Sequence, residues 1–240
     1  SYRPGGSYFS AGGQYRDVTD PFVTDVIQTA GACSKYGFSP APQCDPPCTG
    51  DEVCGYGSQC RPWANPLDLG TMHIDGTVPA VDIEYWDAAA GYIYSKGAGE
   101  VEAPGPGEVV TVSFDDNPHT GPFSLSVPGV EVWTEETLPI VEASDDDFTV
   151  QWTTTDTTGD AVVRLAIDGV WPHGATWIYQ IICEVPETAG SLTVSRELVD
   201  SMPMDGPEGA LYRQQRTTNR TELGCAELVR YELVGIAVPE

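Results

Sequence analysis

Oxygen-bearing side chains are concentrated in two short stretches of this sequence. Asp115, Asp116 and Asn117 follow directly after an apolar run, and an acidic triplet occupies residues 145–147. Protein-bound Ca²⁺ takes about six to eight oxygen ligands, and loops that combine carboxylates with carbonyl groups are common sources of them. Neither stretch has the spacing of an EF-hand loop, and a solvated turn is the simpler interpretation of both. The sequence therefore requires no cofactor, and residues 115–117 remain a candidate Ca²⁺ site.

The sequence contains 7 cysteines, most of them in one short segment. Their density is typical of an oxidising compartment outside the cytoplasm. The order Cys44, Cys48, Cys54, Cys60 favours two interleaved disulfides, Cys44–Cys54 and Cys48–Cys60, although other pairings remain open. A zinc site is the alternative, but the segment lacks CxxC pairs and a nearby histidine.

The remaining cysteines are Cys33, Cys183 and Cys225. Cys183 and Cys225 lie in the strand-rich C-terminal part, where we expect a disulfide between them to tie neighbouring or facing strands. Cys33 is then left over, so it is predicted to be free or to form a crosslink to another chain.

Local motifs of catalysis are absent from the sequence. There is no GxSxG elbow, no HExxH metal motif, no phosphate-binding loop and no GxGxxG that opens a helix. The three histidines, His73, His119 and His173, lie far apart in the chain. We therefore predict a protein that is not an enzyme. A hydrolase remains an alternative if Ser and His, or two carboxylates, converge in space.

Aromatic side chains offer a second kind of site, because sugars stack on such rings. The candidates for a glycan-binding platform are Tyr85, Trp86, Tyr92, Tyr94, Trp133, Trp171 and Trp177. Core or interface packing is the competing interpretation of these residues.

The sequence predicts that the elements that position these residues are β-strands. In residues 147–152 and 161–168 apolar and polar side chains alternate, and residues 177–185 form a denser apolar run. These three runs are predicted to be neighbouring strands at the middle of a sandwich. Similar short runs recur before and after them, and one short helix is predicted from Ser195 to Met202.

The predicted fold class is therefore all-β, an antiparallel immunoglobulin-like or jelly-roll-type β-sandwich preceded by a small disulfide-rich module. The predicted divisions are an extended N-terminal segment over residues 1–32, the cysteine-rich module and linker over residues 33–66, and the sandwich over residues 67–240. The N-terminal segment is rich in Gly, Ser and Tyr, and its composition does not favour independent folding.

Charge excludes several classes of partner. The 240 residues carry 36 Asp plus Glu against 11 Lys plus Arg, a formal net charge of −25 at pH 7. Such a field repels nucleic acid and anionic membranes. No apolar run approaches the roughly 18 residues of a transmembrane helix. We expect an exported protein, delivered either after removal of a signal peptide or by another route.

Several motifs of the chain occur together in one known group of proteins. They are Cys-Asp-Pro-Pro-Cys at 44–48 with Gly-Asp-Glu-Val-Cys at 50–54 and Cys60, the segment 121–132, Val-Gln-Trp at 150–152, Ile-Cys-Glu at 182–184 and the segment 188–194. In these motifs the chain resembles exported proteins of myxobacterial type whose functions are largely uncharacterised. The resemblance implies a cell-surface β-sandwich with a small N-terminal cysteine-rich module, and it carries over no active site. The N-terminal Gly/Tyr-rich segment departs from the pattern.

These observations favour a non-enzymatic structural subunit of an extracellular or cell-surface assembly, such as a filament or complex. Its expected partners are copies of itself or other surface proteins, and residues 1–32 are expected to dock on the chain's own domain or on a neighbour. The first alternative is a surface module that binds glycan or another ligand, with or without Ca²⁺. The second alternative is the hydrolase.

Overall fold

Nearly all regular structure in the computed structural model is β-strand. The structure describes residues 11–13, 25–37, 44–55, 59–62, 67–85, 94–96, 105–131, 133–134, 136–143, 147–155, 160–169, 179–202, 208–221 and 224–238. The strands are β1 (Ala11–Gly13), β2 (Asp25–Ala30), β3 (Cys33–Gly37), β4 (Glu52–Gly55), β5 (Gln59–Pro62), β6 (Met72–Asp75), β7 (Val81–Ile83), β8 (Tyr94–Lys96), β9 (Val109–Phe114), β10 (Phe123–Pro128), β11 (Ile140–Ala143), β12 (Asp147–Gln151), β13 (Val162–Gly169), β14 (Tyr179–Pro186), β15 (Ser191–Ser195), β16 (Glu208–Thr221) and β17 (Gly224–Ala237).

These strands form three larger sheets and two small two-stranded sheets. The largest sheet has the order β17-β16-β13-β14-β3-β2, a second has the order β11-β12-β15, and a third has the order β10-β9-β6-β7. The pairs are β4 with β5 and β1 with β8. Every strand pairing is antiparallel, which confirms the predicted all-β class.

The six-stranded and three-stranded sheets enclose the main core of the sandwich. In β12, β13 and β15 alternate side chains point into this core, as the period-two pattern predicts. Its buried members include Trp133, Phe148, Val150, Val163, Leu165, Ile167, Ile181, Leu192, Val194 and Leu211. Each buried aliphatic or aromatic side chain of this size contributes roughly 1.5–3 kcal/mol of transfer free energy. One short helix, α1 (Arg196–Asp200), covers an end of the core with Leu198.

The four-stranded sheet supports a second core. Its buried members are Leu69, Met72, Ile74, Val81, Ile83, Val110, Val112, Phe114 and Val127. Leu228 of β17 packs against this core, whereas Val234 of the same strand and Leu211 of β16 pack in the main core. The 14-residue strand β17 therefore contributes to both cores.

The position of β12 corrects one expectation. The sequence pattern predicted β12, β13 and β14 as three neighbouring strands, but β12 pairs with β11 and β15 in the opposite sheet. Alternation reveals that a strand has one buried face, and the two facing sheets of a sandwich bury the same kind of face. The pattern therefore identifies such a strand without assigning it to a sheet.

The N-terminal segment also differs from the predicted division. Strands β2 and β3 form a hairpin through Gly31, whose φ of 57° suits glycine, and β3 pairs with β14. Residues 25–37 thus belong to the main sheet of their own chain, and the sandwich includes residues assigned from sequence to the tail and the cysteine-rich module. β1 pairs with β8 of the same chain.

The disulfides follow the predicted pairing only in the small module. Cys44–Cys54 and Cys48–Cys60 crosslink the β4–β5 region as expected. The third bond joins Cys33 to Cys183, so the predicted Cys183–Cys225 bond is wrong and Cys33 is not free.

The strand order explains this correction. Cys33 lies directly opposite Cys183 on neighbouring strands β3 and β14. Cys225 lies on β17, which is separated from β14 by β16 and β13. Three strand spacings of about 4.8 Å amount to about 14 Å, well beyond the roughly 7 Å between the Cα atoms that a disulfide can bridge.

No helix in the described ranges is long and apolar enough to cross a bilayer.

The Cys33–Cys183 bond fastens the N-terminal hairpin to the main sheet across 150 residues of sequence. Replacing both cysteines by Ala is expected to lower the free energy of unfolding by roughly 2–5 kcal/mol, because the crosslink closes a long loop. Urea denaturation measures this loss. Cys225→Ala is the control, since it leaves the crosslink intact. Peptide mapping without reductant that links Cys183 to Cys225 would contradict the assignment.

Candidate functional site

The candidate Ca²⁺ loop is held together by its own amide side chain. Asn117 is buried, and its Oδ1 accepts hydrogen bonds from the backbone N–H groups of His119 (2.9 Å) and Thr120 (3.2 Å). Its Nδ2 donates to Thr120 Oγ1 at 2.6 Å. Asp115 and Asp116 are exposed beside it. The amide of Asn117 is therefore engaged in shaping the turn, and Ca²⁺ binding here stays a prediction.

Potential metal ligands converge at one place in the described ranges, the cysteine-rich module. The sulfurs of Cys44, Cys48 and Cys54 lie within 4.8 Å of one another. All three are in disulfides, so none is the thiolate that a zinc ion requires. Of the second acidic triplet, Asp147 begins β12, and residues 145 and 146 lie outside the described ranges.

Two of the aromatic candidates for a glycan platform, Trp133 and Tyr85, are engaged in packing. Trp133 is buried, with the guanidinium of Arg213 3.8 Å from its ring centroid. Tyr85 packs against the second core, and Tyr94 lies in β8. The remaining members, Trp86, Tyr92, Trp171 and Trp177, lie outside the described residues.

Three residues with the chemistry of a serine hydrolase lie side by side across the four-stranded sheet. His73 of β6 is directly opposite Asp82 of β7 on one side and Ser113 of β9 on the other. His73 Nδ1 is 2.7 Å from Asp82 Oδ1. The hydrogen bond to Asp82 is the main cause that raises the pKa of His73, with smaller contributions from Asp115 and Asp75. Sequence spacing gave no sign of this row.

The surroundings of His73, Asp82 and Ser113 do not favour acyl transfer. Within the described residues no hydrogen bond joins His73 to Ser113. Strand β9 is paired on both sides, by β6 and β10, so its backbone N–H groups are engaged in the sheet. An oxyanion hole needs free donors close to the nucleophile. His119 lies in the Asn117 turn, and His173 is outside the described residues.

A second pair that sequence reasoning missed is Lys35 with Ser201. The buried Lys35 of β3 places Nζ 2.7 Å from Ser201 Oγ and 2.6 Å from the Ser201 carbonyl oxygen. Its ammonium also lies 4.6 Å from the centroid of the Tyr179 ring. Burial lowers the pKa of Lys35. Lysine and serine at this distance resemble the nucleophile and base of a Ser/Lys hydrolase.

The hydrogen bonds give this pair a structural role instead. Ser201 Oγ donates to the Leu198 carbonyl at 2.7 Å, so its proton points away from Lys35. The N–H groups of Ser201 and Met202 are bonded to carbonyls of α1. The ammonium group of Lys35 thus caps the C-terminal end of α1, where carbonyl groups favour a cation.

A buried ion pair joins Glu187 and Arg213. Their side chains are 0% and 1% exposed, and Arg213 Nη2 lies 3.2 Å from Glu187 Oε1. Arg213 also donates to the carbonyl oxygens of Thr153 (2.9 Å) and Glu131 (3.3 Å). Burial lowers the pKa of Arg213, and the carboxylates of Glu187 and Glu131 oppose this change. The group stays charged because an arginine in water titrates only at very high pH.

Exposed apolar side chains lie mainly at the two edges of the six-stranded sheet. Eight large apolar residues are exposed in the described ranges, and five of them belong to the edge strands β2 and β17. These are Val26 and Ile27 on β2, and Val229, Tyr231 and Leu233 on β17. The three on β17 occupy alternate positions, so they form one stripe on the outer face of that strand.

The hairpin that carries this stripe is electrically neutral. Residues 208–237 contain four Arg and four Glu, with no Lys and no Asp, so their formal charges cancel. The whole chain carries −25, which means that its negative charge lies elsewhere. The β16–β17 hairpin, with its exposed outer strand, is the candidate functional surface, because it combines apolar exposure with the absence of net charge.

The Glu187–Arg213 contact predicts a large effect on stability. Arg213→Met is expected to lower the free energy of unfolding by about 3–5 kcal/mol, because it leaves the carboxylate of Glu187 buried without its cation. Arg216→Met is the matched control on the same strand. Arg216 pairs with Glu184 at the surface, where such contacts contribute about 0–1 kcal/mol. Equal losses in urea denaturation would contradict the buried-pair interpretation.

The His73–Asp82 contact predicts a pKa that NMR titration can measure. The pKa of His73 is expected to lie above the ordinary value of 6.5 and to fall in Asp82→Asn, which loses the largest cause of the shift. Asp75→Asn is the control, with a smaller decrease. Because the folded pKa is raised, the contact stabilises the fold below the unfolded pKa, and this contribution is lost as pH rises through the folded pKa. A pKa insensitive to Asp82→Asn would refute the assignment.

Comparison with protein-family models and with curated protein sequences finds no match for this chain.

Proposed function

We propose that this protein is an exported, non-enzymatic β-sandwich that serves as a structural subunit of an extracellular or cell-surface assembly. The observation that carries the proposal is the exposed apolar edge of the six-stranded sheet at β17. Its partners are copies of itself or other surface proteins.

The character of the β17 edge supports this role. Soluble proteins usually shorten their edge strands or protect them with Lys, Pro or bulges. β17 is 14 residues long, contains neither Lys nor Pro, and exposes Val229, Tyr231 and Leu233. A strand of this kind offers backbone hydrogen bonds together with apolar contacts to an added strand, which is the basis of association by strand addition.

The hydrogen bonds of the polar side chains support the proposal that the protein is not an enzyme. Asn117 shapes a turn, Lys35 caps a helix and Glu187 neutralises Arg213. Each of these groups is engaged in the fold itself, which supports a structural role for it.

The cysteines support export. Three disulfides join residues of β3, β14 and the small module. Disulfides of this kind persist in oxidising compartments and are rare in the cytosol.

Sedimentation velocity of the full chain over a concentration series tests the proposal. We expect a species heavier than the 25.7 kDa chain, because apolar edges associate. The species is expected to persist in EDTA and in mild reductant, since its contacts require neither Ca²⁺ nor an intermolecular disulfide.

A monomer at every concentration and condition would overturn the proposal. It would favour the glycan-binding alternative, for which Tyr212 and Tyr231 offer an edge-to-face aromatic pair with centroids 5.5 Å apart.

A further inference from the structure

We propose that the β17 edge binds a second copy of this chain, with the two β17 strands antiparallel about a two-fold axis at Tyr231. The inference rests on the proposed function and specifies its interface. It joins the two six-stranded sheets into one continuous sheet across the dimer.

The open side of β17 provides the backbone groups for this pairing. β16 pairs with β17 along its whole length, from Glu208 opposite Ala237 to Thr221 opposite Gly224. In the described part of the chain β16 is the only strand that pairs with β17. The other edge of β17 therefore presents a row of N–H and C=O groups to an added strand.

The sequence of β17 is self-complementary about Tyr231. In an antiparallel pair centred on this residue, Val229 faces Leu233 of the second copy and Leu228 faces Val234. Apolar side chains thus meet apolar side chains on both faces of the joined sheet. The two Tyr231 rings meet at the axis, on the outer face where Tyr231 is 48% exposed.

The charged residues of β17 fit the same register. Arg230 faces Glu232 of the second copy, and by symmetry Glu232 faces Arg230. In the single chain these side chains lie 3.7 Å apart and are 16% and 27% exposed. Burial raises the pKa of Glu232 and Arg230 opposes the change, so a second cation opposite Glu232 would favour its charged form.

Neighbouring registers are unfavourable. Centring the pair on Arg230 places two arginines opposite each other, and centring it on Glu232 places two glutamates opposite each other. Like charges directly opposite in a sheet are destabilising. A shift by a single residue places the apolar outer face of one copy beside the inner face of the other. The pattern Val-Arg-Tyr-Glu-Leu at 229–233 therefore selects one register.

The charge distribution also favours the β16–β17 hairpin as the surface of association. Two chains of −25 repel each other over most of their surfaces. The β16–β17 hairpin has four Arg and four Glu. Because the charge of Arg213 is buried against Glu187, the surface of the hairpin is close to neutral, and two copies approach through it with little net repulsion. This property favours a second copy over a strongly charged partner.

Sedimentation velocity of full-length variants tests the interface. Tyr231→Asp places two carboxylates at the axis and is expected to weaken self-association about tenfold or more. Ile140→Asp is the matched control, because Ile140 is exposed on β11, an edge strand of another sheet. It is expected to associate like the unmodified chain. Circular dichroism checks that each variant is folded.

Charge reversal with mixing gives a second test that does not depend on Tyr231. Arg230→Glu and Glu232→Lys should each fail to self-associate, since each places like charges opposite each other across the axis. An equimolar mixture of the two variants should recover a dimer, because each cation then faces a carboxylate.

The outcomes separate this inference from the proposed function. Self-association that none of the β17 variants weakens would overturn the two-fold β17 interface and leave the assembly proposal standing. Folded charge-reversed variants that fail to recover on mixing would also overturn it. A monomeric unmodified chain at every concentration would overturn both.

Discussion

The buried ion pair between Glu187 and Arg213 holds the two layers of the sandwich together. Glu187 lies in the short 3-10 turn, Glu187–Ala189, where the chain leaves the six-stranded sheet for the three-stranded sheet. Its carbonyl accepts the Trp152 Nε1–H at 2.8 Å, and its carboxylate accepts the Thr155 N–H at 2.9 Å. Arg213 approaches from β16, so one contact connects both sheets and the segment after β12. Removing either charged side chain would leave the other buried in the core without its partner, which destabilises the fold.

Because the space between the two sheets is filled, only some surfaces of the sandwich are available for binding. The inner faces of both sheets are filled by the main core, and the buried polar side chains of Glu187, Lys35 and Asn117 are engaged in an ion pair, at a helix end and in a turn. The outer face and the edges of the six-stranded sheet remain. At one edge, β2 is tied back to β14 through β3 and the Cys33–Cys183 bond. At the other, β17 is fixed by its long pairing with β16, and no strand in the described ranges pairs with its other side.

The local sequence pattern was sufficient to predict where most strands lie. It was insufficient to predict contacts between segments that are distant in sequence. The runs 147–152 and 161–168 were predicted to within one residue of β12 and β13, and the start of α1 after Ser195 was also predicted, because alternation and helix starts are local properties. The Cys33–Cys183 bond, the Lys35–Ser201 contact and the His73 row join residues far apart in sequence, and they depend on strand order. The error at Cys225 followed from assigning Cys33 to the cysteine-rich module, outside the sandwich. Once β3 lies beside β14, Cys33 is the only cysteine within reach of Cys183 in the described sheet.

The charge distribution connects the fold to the proposed assembly. A formal charge of −25 favours solubility and opposes self-contact, so an acidic subunit associates only where its surface is locally neutral. Residues 208–237 are locally neutral. They are neutral because positive and negative side chains balance, as with Arg230 and Glu232 on either side of Tyr231, and not because charged side chains are absent. Neutrality of this alternating kind does more than reduce repulsion. It makes the energy of an added strand depend on register, so the same residues that permit association also restrict it to one geometry.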